Sequence, residues 1–154
     1  KLVVKRAAFM EEATKEAKGA MAAVIGFDAG KLKEICRRTG AEVANFNSKE
    51  QIVITGHVDK VAAACALIKS AGAKTVIPLE VSGAFHSTLM RPAAVKFEEE
   101  VGSVTITPGA VQVISNVNAL PHREAGEIRR NLVAQITSSV QWVASVEYMM
   151  SQGK

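Results

Sequence analysis

The amino-acid sequence predicts a mixed fold of the α/β (α+β) class, in which short apolar runs alternate with amphipathic helical segments. Two observations support this prediction. Residues 19–82 read as strand, helix, strand, strand, helix and strand, which is the order of a ferredoxin-like βαββαβ unit. Residues 83–154 then change character, because helical segments dominate them and a single further strand-like run occurs. The length of 154 residues and the 48% hydrophobic content suit one packed domain and exclude a disordered chain.

Each element of the first half has a local signal. Residues 1–17 carry apolar side chains at helical spacing, although no N-cap residue precedes them. Asp28 is placed to cap a helix through residue 38, and Gly40 is placed to end it. A second helix is predicted over residues 59–71. The strand-like runs are residues 20–27, 42–47, 51–55 and 74–81, with a polar turn between the second and the third.

The second half is predicted mainly as helix. Ser82 and Gly83 interrupt the last of the strand-like runs. Residues 88–101 are amphipathic, with Met90 and Phe97 on the apolar side. The remaining predicted elements are a strand at 111–116, a polar loop at 121–126 and helices at 127–136 and 143–150.

Composition and missing motifs exclude several classes of protein. No apolar run approaches the roughly 20 residues of a membrane span, and no signal-peptide pattern opens the sequence. Cys36 and Cys65 are too few for a disulfide framework, so we expect buried thiols in a reducing, cytoplasmic setting. The sequence contains no GxSxG nucleophile elbow, no GxGxxG or GxxxxGK[ST] loop, no HExxH and no CxxC.

His86 is the first candidate for chemistry. It lies between a predicted strand and the following helix, where ligands and catalytic groups collect in open α/β folds. An imidazole titrates near neutral pH and can therefore act as a general base, and Ser87 or Thr88 can cap the helix. A loop histidine with a structural hydrogen bond fits the same pattern. A base without its nucleophile is also an incomplete mechanism.

Arg6 is the second candidate. Helical spacing places it on the apolar face that Leu2, Phe9 and Ala13 share. A guanidinium buried there needs a carboxylate or phosphate partner, because it cannot lose its charge. The alternative is an arginine at the edge of this face with its charged end in water. His57 and His122 lie in polar segments, and we assign no role to either.

Short segments along nearly the whole chain match the sequence pattern of one known family. They are LVVKRAAFMEEA (2–13), GAMAAVIG (19–26), NFNS (45–48), QIVITG (51–56), GAK (72–74), VIPL (76–79), VSGAFHS (81–87), LM (89–90), PAA (92–94), ISNV (114–117), Gln135, VQW (140–142) and VEYM (146–149). In these segments the sequence resembles the family of malonyl-CoA:acyl carrier protein transacylases and the related acyltransferase domains of fatty-acid and polyketide synthases. The number and order of the segments make the resemblance specific, which no single short motif would.

The resemblance implies a two-step acyl transfer. A serine takes malonyl from coenzyme A and passes it to the phosphopantetheine thiol of acyl carrier protein. By the same resemblance His86 is the catalytic base, Gln135 orients the His86 ring through a carbonyl, and Arg6 binds the malonyl carboxylate. Phe85 resembles the residue that accompanies malonyl selectivity in synthase domains.

The implied partners are malonyl-CoA and acyl carrier protein, and the net charge of +4 suits both of these anionic molecules. No cofactor and no metal are implied. The resemblance leads us to expect an intact enzyme that is monomeric and cytoplasmic and that binds neither nucleic acid nor membrane.

The sequence also departs from the family pattern. The GHSxGE nucleophile motif, the oxyanion loop and the terminal GPG turn do not occur in these residues, and Glu80 stands where a proline is common. Because the chain also begins at Lys1 within a predicted helix, we expect a fragment that is inactive alone and exposes apolar helix faces. Residues 1–18 and 83–154 would belong to an incomplete α/β-hydrolase-like subdomain, and residues 19–82 would form the ferredoxin-like subdomain.

Three alternatives to a stand-alone malonyl-transfer enzyme stay open. An acyltransferase domain of a polyketide synthase fits the same residues. A basic βαββαβ unit also matches RNA-recognition modules, although residues 20–27 and 51–55 lack the paired aromatic residues that stack bases. The third alternative is a non-catalytic ferredoxin-like binding module that kept the scaffold without the serine.

Overall fold

The computed structural model describes residues 1–153. Six helices and six strands occur within them, together with a short 3₁₀ turn at Thr88–Met90. In chain order they are α1 (Leu2–Glu16), β1 (Gly19–Ile25), α2 (Ala29–Thr39), β2 (Glu42–Phe46), β3 (Gln51–His57), α3 (Val58–Ser70), β4 (Thr75–Pro78), α4 (Arg91–Gly102), β5 (Val113–Ile114), β6 (Pro121–His122), α5 (Ala125–Ala134) and α6 (Trp142–Ser151).

The main sheet has four antiparallel strands in the order β2-β3-β1-β4. This order confirms the predicted ferredoxin-like βαββαβ arrangement. Helices α2 and α3 cover one face of the sheet, and the apolar side chains between them are buried. Leu32, Ile54 and Ile68, from α2, β3 and α3, are each fully buried there. This first face therefore contains one of the two main cores of the molecule.

The second face of the sheet is covered by the chain segment that follows β4. Met21, Val53 and Ala44 on this face are buried, and Leu79 and Phe85 pack against them. The polypeptide thus crosses the sheet between Pro78 and the 3₁₀ turn. His86 lies on this crossing segment.

A β-bulge in β2 changes which side chains reach the second face. Glu42 pairs with Thr55 and Val43 with Ile54, but the next pair is Asn45 with Val53, so Ala44 is the extra residue. Asn45 therefore shares a face with Val53, while Phe46 packs against the core on the first face. Strict alternation along β2 would have reversed these two side chains.

The second core lies among the helices. Helix α4 packs against α1 on one side and α5 on the other. Met10, Phe97, Val101 and Ile136 are buried where these elements meet. Arg129 of α5 donates hydrogen bonds to the carbonyl oxygens at the end of α4, so that a cation lies at the negative end of that helix.

The structure corrects several predicted boundaries. The strand predicted at 111–116 contains only Val113–Ile114, and it pairs with Pro121–His122, which we had assigned to a loop. The strand predicted at 74–81 ends at Pro78, after which only one further backbone bond, from Leu79 to Met21, continues the ladder.

The site of His86 also differs from the prediction. It lies eight residues beyond β4, and β4 is antiparallel to its neighbour. The rule for carboxyl ends of parallel strands, which first drew attention to His86, therefore does not apply here.

Candidate functional site

The segment that carries His86 is held by two close backbone approaches. A Cβ on Gly19 of β1 would lie 2.6 Å from the Cβ of Ala84, and a Cβ on Gly83 would lie 3.0 Å from the Cβ of Thr14 in α1. The first distance is shorter than real Cβ contacts and the second is tighter than most of them, so a side chain at either position would require a neighbouring group to move. The segment is therefore packed directly between the sheet and α1.

His86 itself has a left-handed backbone conformation, with φ of 57°. For a residue other than glycine this conformation costs about 1–3 kcal/mol and persists only where the surroundings enforce it. The neighbouring Ser87 is fully buried; its hydroxyl donates to the carbonyl of Ala84 at 2.6 Å and accepts from the amide of Leu89. The sequence predicted that Ser87 or Thr88 caps the following helix; in the structure Ser87 caps the 3₁₀ turn that precedes α4, and α4 itself has no side-chain cap.

The imidazole ring of His86 has a defined partner. Its Nδ1 lies 3.0 Å from the backbone carbonyl oxygen of Gln135, the residue that follows α5. Because a carbonyl oxygen only accepts, Nδ1 carries the proton in this contact, and Nε2 of the neutral ring is the proton acceptor. The Gln135 side chain donates to the carbonyl of Ser138 at 3.1 Å, which fastens the turn that presents the Gln135 carbonyl.

The surroundings of His86 favour the neutral ring. Burial lowers the pKa of His86 below its usual value, and the nearby charge of Arg6 lowers it further. The carbonyl groups of Gln135 and Ser138 oppose this shift, because they stabilise the protonated ring. The balance keeps His86 unprotonated near neutral pH, which a general base requires.

Arg6 and His86 line the same cleft, which has a volume of about 780 Å³. The apolar part of its wall is formed by Met10, Met21 and Phe85, and polar groups come from Asn45 and Asn47. The cleft is therefore a mainly apolar space whose wall also carries one cation, one imidazole and the carboxylate of Glu11.

Arg6 is half-buried on α1, and within residues 1–153 its guanidinium forms no ion pair. Burial lowers the pKa of Arg6, because the charged group loses water contacts. A half-buried cation without an ion pair is partly desolvated, so an anion bound in the cleft would stabilise it. The sequence predicted the location of Arg6 on the Leu2 and Phe9 face, and the structure shows that this face reaches the cleft.

The other candidates lie outside this cleft. His57 is exposed at the end of β3, and the ring of His122 lies 3.4 Å from the Asn131 amide. Cys36 is buried and Cys65 half-buried, and burial raises the pKa of the Cys36 thiol to about 11. In the described part of the chain, no three His, Cys, Asp or Glu side chains are grouped so that they could hold a metal ion.

Residue pattern alone missed part of the cleft wall. Met10 and Met21 read as ordinary core residues, and Asn45 and Asn47 as strand and turn residues. The one available signal was the NFNS match at residues 45–48, which marks the segment without assigning it to the cleft. No helix of the described residues combines the length and the apolar character needed to cross a membrane.

Comparison with known proteins gives one short match and a larger set of long ones. A family model described as KH domain matches residues 16–70, which cover β1 to α3. KH domains clamp nucleic-acid backbones with a GXXG loop, and no two glycines in residues 16–70 have that spacing. The face of the sheet opposite α2 and α3 is also covered by the His86 segment rather than open for bases.

The long matches cover almost all of this chain. The sequence is 42% identical to the malonyl CoA-acyl carrier protein transacylase of Escherichia coli K12 over 157 residues, covering 99% of this chain and 51% of that protein. It is 42% identical to the enzyme of the same name from Bacillus subtilis, with coverage of 98% and 49%.

Solved structures agree with the sequence matches. An acyl carrier protein S-malonyltransferase from Vibrio cholerae superposes with a TM-score of 0.96 at 35% identity, covering 99% of this chain and 51% of that one. A malonyl-transacylase solved with its type II polyketide synthase acyl-carrier protein superposes with a TM-score of 0.95 at 35% identity, covering 99% and 50%.

The fold of this chain, with its ferredoxin-like sheet, is similar to one half of solved acyltransferase structures. More particularly, the chain is homologous to the malonyl CoA-acyl carrier protein transacylases over nearly its whole length. It spans about half the length of the relatives it matches.

Proposed function

We propose that this chain supplies the base and the substrate-binding cation of an acyltransferase that moves malonyl from coenzyme A to acyl carrier protein. The observation that carries the proposal is the His86 ring, which donates from Nδ1 to the Gln135 carbonyl and lines one cleft with Arg6. A neutral imidazole with Nε2 free and a nearby cation suit acyl transfer from an anionic donor.

In the proposed first step, Nε2 of His86 takes the proton from a serine hydroxyl as the serine oxygen attacks the malonyl thioester carbonyl. The carbon–sulfur bond then breaks, and the coenzyme A sulfur leaves with the proton from the His86 imidazolium. In the second step His86 deprotonates the phosphopantetheine thiol, which attacks the seryl ester and releases the serine. As the bond between the acyl carbon and the serine oxygen breaks, the His86 imidazolium gives its proton to that oxygen, so each step returns the proton it takes.

These 154 residues offer neither the serine in the family's GHSxGE context nor the oxyanion loop. We therefore expect no malonyl transfer by this chain alone. The Gln135 carbonyl takes the place of the carboxylate that orients the base in a serine–histidine–aspartate triad. A neutral acceptor leaves less negative charge beside the imidazolium, which agrees with the lowered pKa of His86.

Arg6 is proposed to bind the free carboxylate of the malonyl group. Its guanidinium is half-buried, forms no ion pair within residues 1–153 and can bind a carboxylate through two parallel hydrogen bonds. An acetyl group would leave the Arg6 cation without a partner in the cleft. Selectivity for malonyl over acetyl follows from this difference.

Acyl carrier protein is the proposed partner, and the solved complex of a homologous malonyl-transacylase with an acyl-carrier protein supports it. The relatives also include a polyketide biosynthesis protein of Burkholderia thailandensis, 39% identical over 99% of this chain and 13% of that protein. We also propose the division of the chain into residues 1–18, 19–82 and 83–154, with the ferredoxin-like sheet as the middle unit.

The test is acyl transfer by a full-length transacylase that contains these residues. His86→Ala should remove most of the transfer of malonyl to acyl carrier protein while the fold is retained, since His86 is the one imidazole among the described side chains of the cleft and its ring is oriented by the Gln135 carbonyl. Arg6→Ala should lower the ratio of malonyl to acetyl transfer. An unchanged ratio would contradict the role of Arg6, and malonyl turnover by the 154-residue chain alone would contradict the assignment of the nucleophile to another segment.

A further inference from the structure

Two residues of the sheet hold the His86 segment on either side of the histidine. Thr55 of β3 is fully buried, and its hydroxyl donates to the carbonyl oxygen of Phe85 at 3.0 Å. Glu42 of β2 accepts from the amide of Thr88 at 3.1 Å and from its hydroxyl at 2.7 Å. The bonded residues are therefore Phe85, one position before His86, and Thr88, two positions after it.

These two residues act from one place in the sheet. Glu42 and Thr55 are direct partners in the pairing of β2 with β3, so their side chains project from the same face. That face is the one crossed by residues 79–88. Two adjacent strands thus bond to the backbone on both sides of a residue with a left-handed conformation.

Neither side chain is needed to cover that face. The buried apolar surface there comes from Met21, Ala23, Ala44 and Val53. A buried hydroxyl at position 55 would cost free energy without its acceptor, and the Phe85 carbonyl is the acceptor it has. The polar character of positions 42 and 55 is therefore accounted for by their bonds to the His86 segment.

We propose that Thr55 and Glu42 are positioning residues for His86. They hold residues 85 and 88 against the sheet, which keeps His86 at positive φ and its Nδ1 within reach of the Gln135 carbonyl. Their effect on the reaction would come entirely through the orientation of the imidazole ring. The catalytic meaning of this orientation rests on the proposed function, whereas the orientation itself does not.

The experiment uses the 154-residue chain labelled with ¹⁵N in its histidine rings, at a pH of about 8 where an ordinary imidazole is neutral. In the unaltered chain, His86 should show one ring nitrogen with the shift of a protonated nitrogen and the other with that of a bare nitrogen. Thr55→Val, which keeps the volume of the side chain, and Glu42→Met should each bring the two shifts closer together. The combination of both should give the largest loss of separation.

Conservative variants separate positioning from general loss of structure. Thr55→Ser and Glu42→Gln keep a donor and an acceptor respectively, and should restore the separation of the two shifts. Thr39→Val removes a hydroxyl bonded within α2, and Glu34→Gln weakens an exposed pair with Arg37. Neither control touches the His86 segment, so both should leave the His86 signals unchanged.

A His86 ring with the same two shifts in Thr55→Val and Glu42→Met would overturn the proposal, as would an equal change in Thr39→Val. If the shifts respond as expected while full-length protein transfers no malonyl, the positioning stands and the proposed function falls. If full-length protein transfers malonyl and the shifts do not respond, the proposed function stands and the positioning role of Thr55 and Glu42 falls.

Discussion

Replacing Gly19 by alanine should separate the His86 segment from the sheet. The new Cβ would lie 2.6 Å from the Cβ of Ala84 and 3.0 Å from its Cα, and closer still to its backbone nitrogen. Carbon atoms in contact are normally about 3.5–4.0 Å apart, so either β1 or the segment around Ala84 must move. Backbone atoms form most of this contact, and no flexible side chain can turn away.

The expected loss of stability can be worked from two opposing effects. Overpacking of a tight site costs about 1–3 kcal/mol. Alanine also restricts the unfolded chain, which offsets about 0.4–1 kcal/mol. We therefore expect Gly19→Ala to lower the free energy of unfolding by about 1.3 kcal/mol, the difference between the midpoints of these ranges.

The assay is urea unfolding of the 154-residue chain, with Gly102→Ala as the matched control. Gly102 ends α4, and no atom lies within 4 Å of a Cβ placed there. With a urea dependence of about 1–3 kcal/mol per molar, a loss of about 1.3 kcal/mol should lower the midpoint of Gly19→Ala by roughly 0.4–1.3 M. The Gly102→Ala midpoint should stay equal or rise slightly. Equal midpoints for the two variants would refute the close approach of β1 to the His86 segment.

Three further predictions concern pH, thiol reactivity and the helical core. Burial lowers the pKa of His86 in the folded chain below the value of about 6.5 expected in the unfolded chain, so the unfolded chain binds a proton at His86 more readily. The contribution of His86 to the free energy of unfolding therefore falls as the pH drops through about 6.5 towards the lower folded-state pKa. The stability of the wild type relative to His86→Gln should therefore decrease between about pH 8 and pH 5 in urea titrations, and a difference independent of pH would contradict it. Cys36, with a pKa of about 11, should react with a thiol reagent only after unfolding, whereas the half-buried Cys65 should react sooner; equal rates in the native chain would contradict this order. Phe97 is buried in the helical core, so Phe97→Ala should lower the free energy of unfolding by about 3–5 kcal/mol. Val95→Ala, on the exposed side of the same helix, should lower it by less than about 0.5 kcal/mol. Similar thermal midpoints for the two variants would show that α4 does not pack as described.

Local signals in the sequence predicted the local structure well. Asp28 accepts a hydrogen bond from the Lys31 amide at 2.8 Å, and Gly40 ends α2 with φ of 76°, as predicted from their residue types. Both features depend only on a few neighbouring residues. The order of the four strands could be predicted for a similar reason, since the βαββαβ pattern restricts the topology strongly.

Features that depend on distant contacts could not be predicted in this way. The β-bulge at Ala44 reverses the side-chain alternation after Val43, and nothing in the residue types of β2 marks it. The pairing of Val113–Ile114 with Pro121–His122 is equally hidden, because Pro121 reads as a turn residue.

The site shows the same division. Gln135 lies 49 residues from His86, and only the family resemblance indicated that the two would meet. The role of Thr55 and Glu42 depends on cross-strand register and on a segment some thirty or more residues away.

The contact between His86 and Gln135 has a consequence for how such a site is found by mutation. The acceptor is a main-chain oxygen, which every amino acid possesses, so no side-chain substitution at position 135 deletes it. An alanine scan would report only the loss of the Gln135 amide bond to Ser138. Side-chain substitution at position 135 therefore does not reveal that the Gln135 carbonyl orients the base. Substitutions that move the end of α5 would reveal it, because they would displace this carbonyl from His86.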